Sequence, residues 1–249
     1  MKKRSIIAVT AALSVLCAAL IFDHVPNRTG FGGQDSEEAA AVKQCVINGH
    51  HYLSQTSIVP VAYLRRNLDA EGNLIALLTP EQNELLLKRQ TEPLFSFFVP
   101  GYAEAMANAA ESNLAAMAES GGIDGNGCFS VGVAAGLADP KVTECAIHGD
   151  TAEVTLNATD WLLCIDQDRP DGGYIVRLIP SRNTLRYRLK KMKERWYIAE
   201  NPEMICPGAP TRYGIGQRKF ATLSAAMAAA EKEEIEKNIP GAAYFHLFP

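Results

Sequence analysis

The spacing of apolar residues changes character several times along the chain. Ser5 to Phe22 (SIIAVTAALSVLCAALIF) is apolar without interruption and holds no charge, proline or glycine. From residue 79 the period is helical. Thr79-Pro80-Glu81-Gln82 combines a capping threonine, a proline at the first helical position and a glutamine placed to reach back as in a capping box. Leu85, Leu86, Arg89 and Leu94 to Phe98 carry that helix on, with Pro93 as an interruption. After Val99-Pro100-Gly101, Tyr102 to Ser120 repeats apolar residues at Met106, Ala109, Ala110, Leu114 and Met117, and Gly121-Gly122 ends it. Met106 and Met117 on that stripe read as core residues rather than as a cofactor box.

Past residue 140 the period becomes two. Val142 to Ile147, a turn at His148 to Thr151, and Ala152 to Ile165 predict a hairpin whose second arm sets Val154, Leu156 and Ala158 against Glu153, Thr155 and Asn157. Asp168 to Gly173 makes a second turn and Tyr174 to Ile179 a third strand. Pro180 to Asn183 is expected to bend or bulge the chain. Leu185, Tyr187 and Leu189 then alternate with basic residues, and Trp196-Tyr197-Ile198 closes the meander. Shorter strands are expected at Ile58 to Leu64 and Leu74 to Leu78, and a C-terminal helix at Gln217 to Lys237. Helices followed by an antiparallel sheet with one apolar face define an α+β fold in which the helices cover the sheet.

The first segment sets the address. Lys2, Lys3 and Arg4 precede the apolar run, the order of an export signal. The run is long for a cleaved signal and its small-residue cleavage positions are poor, which favours an uncleaved anchor with the basic end inside. Cleavage instead would leave a secreted or periplasmic protein. A lipoprotein reading at Cys17 is disfavoured because Leu16 precedes it. The predicted organisation is a signal peptide or anchor over 1–22, a glycine-rich acidic tether over 23–41, an extracytoplasmic domain over 42–210, and a C-terminal helix with an apolar tail over 211–249. The tail Ala242 to Pro249 (AAYFHLFP) is expected to dock on its own domain or on a partner.

The 249 residues include 24 basic and 28 acidic ones; three of the basic ones lie in the leader, so 21 face 28 in the remainder. An acidic body excludes nucleic acid as a partner. Outside the leader, Cys45, Cys128, Cys145, Cys164 and Cys206 are disulfide candidates in an oxidising compartment, and their odd number leaves one over. No two have zinc-site spacing, and no metal or cofactor is expected. His50-His51, read as strand residues facing opposite ways, do not make a metal pair. Asp166, Asp168 and Asp171 lack the register of a calcium loop and read as a hairpin turn. Gly121 to Gly127 (GGIDGNG) reads as a connector rather than a phosphate loop. Asp160 shares the parity of Val154, Leu156 and Ala158 and so points inward, where burial would make it a base; a bulge near Trp161 or a solvated strand end accounts for it equally well.

The ending Leu185-Arg186-Tyr187-Arg188-Leu189-Lys190 followed by Arg195-Trp196-Tyr197-Ile198, with Gly149-Asp150-Thr151-Ala152-Glu153-Val154 before it, resembles the nuclear transport factor 2-like superfamily over residues 79 to 200. That resemblance implies a cone: a curved antiparallel sheet wrapped around helices. Enzymes of the superfamily place an acid, histidine or tyrosine inside the cone, which makes Asp160 and Tyr187 the candidate proton-handling residues here. The order of short basic end, membrane helix, tether and such a domain is similar to the assembly subunit of type IV secretion systems. Asn201-Pro202-Glu203-Met204 departs from that family's Asn-Pro-x-Gly motif at its last position. The expectation is a non-catalytic binding or assembly module of the bacterial envelope, with a homodimer or an envelope protein as partner. The alternatives are an isomerase- or hydrolase-like enzyme, or a small-ligand carrier, using the cone cavity.

Overall fold

The computed structural model describes residues 37–56, 58–125, 127–168, 172–206 and 215–243. The apolar leader lies outside them, and among the described residues no helix is long and apolar enough to cross a membrane. The fold is α+β. Five helices come first: α1 (Glu37–Ser54), α2 (Val61–Arg66), α3 (Pro80–Thr91), α4 (Leu94–Phe97) and α5 (Pro100–Ser120). Three long strands follow, β1 (Ser130–His148), β2 (Thr151–Asp168) and β3 (Gly173–Met192), then β4 (Arg195–Ile198), β5 (Glu203–Cys206), β6 (Ile215–Phe220), α6 (Leu223–Glu231), α7 (Ile235–Asn238) and β7 (Ala242–Ala243).

Local chemistry accounts for the helices expected from the sequence. Thr79 caps α3, the reciprocal bond from Gln82 completes the box, and Pro93 separates α3 from α4. Gly121, at φ 63°, closes α5 in the left-handed conformation that glycine adopts freely. Elsewhere the structure corrects the reading. Ile58 to Leu64 is not a strand; Val61–Arg66 is helical after Pro60. Leu74 to Leu78 contributes only a bridge between Leu74 and Leu68. Helix α1 begins at Glu37, inside the stretch read as tether, and Lys191 on β3 holds its first turn through Glu38 at 2.7 Å. The stretch read as one C-terminal helix divides. Residues 215–220 pair with β3, Thr222 caps α6 through the amide of Ala225, and a break precedes α7.

The sheet is antiparallel, ordered β4-β3-β2-β1-β7, with β5 and β6 joining β4 along the far edge of β3. β1 starts at Ser130, well before the expected Val142, and carries irregularities at Gly132/Ala134, Ala138/Lys141 and Val142/Glu144. β3 carries no bulge at Pro180. It stays in register with β2 from Gly173 to Lys190. On its other edge the stretch between β6 and β5 has no described strand partner, and the nitrogen of Pro180 faces that gap, sharing parity with Arg188, whose carbonyl accepts from Ala199 on the same edge. A proline is tolerated where no ladder donor is needed.

Strands of this length, roughly 60 Å at 3.3 Å per residue, outreach any one layer of helices, and the core divides in two. One cluster gathers Val42, Val46, Phe98 and Ala103 of the helical layer against Val154, Leu156, Ala158, Leu185, Tyr187 and Leu189. The other gathers Leu64, Leu86, Leu114 and Met227 against Trp161, Leu163, Ile165, Val176 and Leu178. Parity places the two sets of strand residues on opposite faces of the sheet, even positions of β2 in the first and odd in the second. The buried face therefore changes between Ala158 and Trp161, with no register shift between β2 and β3.

Candidate functional site

Asp160 sits at that change of face, in the interior of β2 rather than at a bulge or a strand end. Its side chain is on the face covered by α1, and it is 7% exposed. α1 brings His50 over it. The buried stripe of that helix runs Val42, Cys45, Val46, Gly49 and His50, and Gly49 lets the helix approach β4, since a Cβ there would lie 2.5 Å from Ile198. His50 and His51 are therefore helical, not strand residues, and both are buried.

Four side chains form one chain of hydrogen bonds. His50 Nε2 is 2.8 Å from Asp160 Oδ1, Asn183 Nδ2 donates to Asp160 Oδ2 at 2.5 Å, and the Tyr187 hydroxyl meets His50 Nδ1. Asn183 and Tyr187 stand on β3 on the same face as Asp160. With a neutral imidazole the polarity is consistent throughout: Tyr187 O–H donates to Nδ1, Nε2–H donates to Asp160, and Asn183 donates to the second oxygen. Every polar atom aimed into the cluster is thus matched, as burial requires. Burial, and after it the charge of Asp160, pushes the Tyr187 phenol well above its usual range, so it remains a donor.

Next to this cluster His51 Nε2 lies 2.6 Å from the Gln55 amide nitrogen, and burial, with a smaller push from His50, lowers the His51 imidazole to about 4. Cys45 points between α4 and β4, with its thiol 3.2 Å from the Trp196 carbonyl, and burial pushes it up to about 12. Cys164 is pushed up to about 12 by the same cause.

The remaining candidates separate. None of Cys45, Cys128, Cys145, Cys164 and Cys206 forms a disulfide among the described residues; Cys45 is bound on α1, Cys145 and Cys164 sit at different levels of β1 and β2, and Cys206 is exposed on β5. Asp166 is held by Arg177 at 2.5 Å and by Ser130 at 2.6 Å, and Asp168 by Lys219 at 2.8 Å, which ties both to the sheet; Asp171 lies outside the described residues. The Gly121 to Gly127 stretch closes on itself through Asp124, whose amide donates to Cys128 O at 2.7 Å and whose carboxylate accepts from Cys128 N at 2.9 Å. Met106 and Met117 pack at the margins of the two core clusters. Two surface depressions lie away from Asp160: one of about 410 Å³ lined by His148, Thr151, Glu153, Arg188, Lys190 and Glu200 among others, and one of about 270 Å³ beside Asp168, Tyr174 and Lys219.

Asp160 and Tyr187 are linked through His50, which the strand reading of residues 50 and 51 concealed. The signal was present in the spacing of Val42, Val46, Gly49 and His50, a helical stripe.

The class defined by these features is an α+β protein with a helix-covered antiparallel sheet and an internally matched polar cluster at its centre. No family model matches the sequence, and no curated protein matches it. Among solved structures, the crystal structure of the intermembrane space region of the chloroplast protein ARC6 is similar at 16% identity, covering 48% of this chain and 78% of that one, with a TM-score of 0.32. A likeness that distant carries no argument.

Proposed function

We propose that this chain is a membrane-tethered, extracytoplasmic binding or assembly module of the bacterial envelope, of the cone-shaped nuclear transport factor 2-like kind, and not a catalyst. The observation that carries this reading is the closure of the Tyr187–His50–Asp160–Asn183 cluster. A general acid or base must reach its substrate, whereas here each group spends its hydrogen-bonding capacity on its neighbours beneath α1. Catalysis through Asp160 and Tyr187 would require α1 to leave the sheet. The exposed face of the same half of the sheet, where Arg186 and Arg188 pair with Glu203, Glu153 and Glu200, is open to a second copy or another envelope protein. The basic leader and apolar run support the tether and the single-pass, basic-end-inside topology.

Two measurements on the full chain test this. A membrane-impermeant maleimide applied to intact cells is expected to label Cys206, which is exposed; labelling only after lysis would place the domain on the wrong side. Diethyl pyrocarbonate on the folded protein is expected to modify the exposed His148 and spare His50. Modification of His50 at a comparable rate in the native state would show an open site and favour the enzyme.

A further inference from the structure

Helix α1 buries two adjacent histidines, His50 at 5% exposure and His51 at 2%. They differ in what surrounds them. His50 lies between Asp160 and the Tyr187 hydroxyl, so a positive charge on it faces a carboxylate. His51 Nε2 lies against the Gln55 amide one turn further along the same helix, and its ring meets that of Tyr52 edge to face at 6.0 Å. A proton on His51 puts a second cationic site directly beside His50, inside the seat of the helix.

The acids of the elements packed against α1 are each engaged. On β2, Asp160 is held by His50 and Asn183, Glu153 by Arg188, Asp166 by Arg177 and Asp168 by Lys219. On β1, Asp139 pairs with Lys141 and Glu144 accepts from Thr155; Cys145 and His148 complete the titratable groups there. β4 adds Arg195 and Tyr197, and α4 (Leu94–Phe97) carries no titratable group. β3 brings Tyr187 to His50 and Lys191 to Glu38, and α1 itself adds Glu37, Lys43, Cys45 and Tyr52.

The helix can leave without taking the rest of its layer along. It is the first described element, seated by Val42, Val46 and the thiol of Cys45 against the Trp196 carbonyl, besides its polar contacts. α4 and α5 have their own hold on β4: Phe98 bridges to Ile198, and the Val99 amide donates to the Ile198 carbonyl at 2.9 Å. Single elements that open below the free energy of global unfolding are a common property of folded domains.

We propose that α1 is an acid-released clasp: protonation of His51 frees the helix from the sheet while β1, β2 and β3 stay paired, uncovering the Asp160 cluster. The direction and size follow from linkage. Burial, and after it His50, holds the seated His51 at about 4 against an ordinary 6.5. A released helix therefore binds a proton that the seated one refuses between those values. The bias toward release is absent above about pH 6.5, grows as pH falls, and reaches about a hundredfold at pH 4.

Thiol exchange with dithiodipyridine, which stays reactive in acid, tests this on the full chain and on His51→Gln and His51→Asn. Each rate is divided by that of the same thiol in the urea-unfolded chain at the same pH, and mass spectrometry assigns the site. Cys45 rides on α1, whereas Cys164 lies on β2 between Gly132 and Arg177 and reports opening of the sheet itself. From pH 7 to pH 4 the Cys45 rate is expected to rise about a hundredfold and to run about tenfold or more ahead of Cys164. In both His51 variants the rise should fall below about tenfold. A Cys45 rate that does not change with pH would overturn the proposal. So would Cys45 and Cys164 reacting at one rate in acid, which is unfolding of the whole domain, or the full rise persisting in both variants, which places the sensing group elsewhere.

Discussion

The polarity of the Tyr187–His50–Asp160–Asn183 chain predicts that two substitutions will not add. Asp160→Asn keeps the shape but turns an acceptor pair into one acceptor and one donor. The remaining oxygen can still accept from Asn183, so the new amide N–H faces His50 Nε2. His50 must then carry its proton on Nδ1 and donate to Tyr187, whose own hydroxyl proton is left unmatched. Tyr187→Phe alone leaves His50 Nδ1 without its donor. Each single substitution orphans one buried group of the chain, at about 1–3 kcal/mol apiece. In the double variant the His50 proton moves to Nδ1 and only that one group is orphaned. The double variant is therefore expected to be more stable than the sum of the singles predicts by one such penalty, on the order of 1–3 kcal/mol. The charge removed at Asp160 is common to the single and the double and cancels from the cycle. Urea unfolding of the four proteins measures it through the midpoint at constant slope. Additivity within about 0.5 kcal/mol would refute the reasoning. So would a Tyr187→Phe protein as stable as the parent, since that is the result expected if His50 donated from both nitrogens and the tyrosine proton were already unmatched.

Other consequences can be measured on the same material. His51 is held at about 4 in the fold against an ordinary 6.5, so the unfolded chain binds the extra proton between those values. Stability is complete above about pH 6.5 and falls as pH drops toward 4, by about 3 kcal/mol at pH 4; the fall should shrink in His51→Gln, and an unchanged pH profile in that variant would refute it. Gly136→Ala drives a methyl into the Trp161 indole, with an expected loss of about 1–3 kcal/mol by chemical denaturation, recovered in part by Trp161→Phe; a neutral Gly136→Ala would contradict the close approach. Cys45 and Cys164, raised by burial to about 12, should resist alkylation at pH 8 until the protein unfolds, with Cys206 modified at once; mass spectrometry of the alkylated protein reads the order. Thr79→Ala should cost about 1 kcal/mol through the lost capping box, and should leave the His51-dependent pH profile unchanged.

Elements whose cause is local were legible in the amino-acid order. The cap at Thr79, the break at Pro93, the glycine end of α5, the hairpin at His148 to Thr151 and the alternation of β2 are each decided by a few adjacent residues, and the α+β class follows from them. The change of parity from Val154, Leu156 and Ala158 to Trp161, Leu163 and Ile165 is also written in the chain, but its meaning is not. A bulge would produce the same pattern, and only the unbroken register with β3 shows that the sheet instead buries opposite faces at its two ends. Gln217 to Lys237 reads as one amphipathic helix on spacing alone, until pairing with β3 claims its first residues. The continuity of β3 through Pro180 goes with an edge that no described strand pairs between β6 and β5, both contributed from farther along the chain.

The candidate site divides in the same way. Parity could point Asp160 inward, because a strand fixes side-chain direction by counting; that Tyr187 shares its face follows from the register of β2 with β3. Nothing local could say that the group waiting there is His50, 110 residues earlier. That pairing depends on how α1 lies across the sheet, on the absence of a side chain at Gly49 where the helix nears Ile198, and on the long-range packing of Val42 and Val46. Whether an inward acid becomes a catalyst or a closed structural link is decided by what covers it, and coverage is a property of tertiary packing that no short stretch of sequence contains.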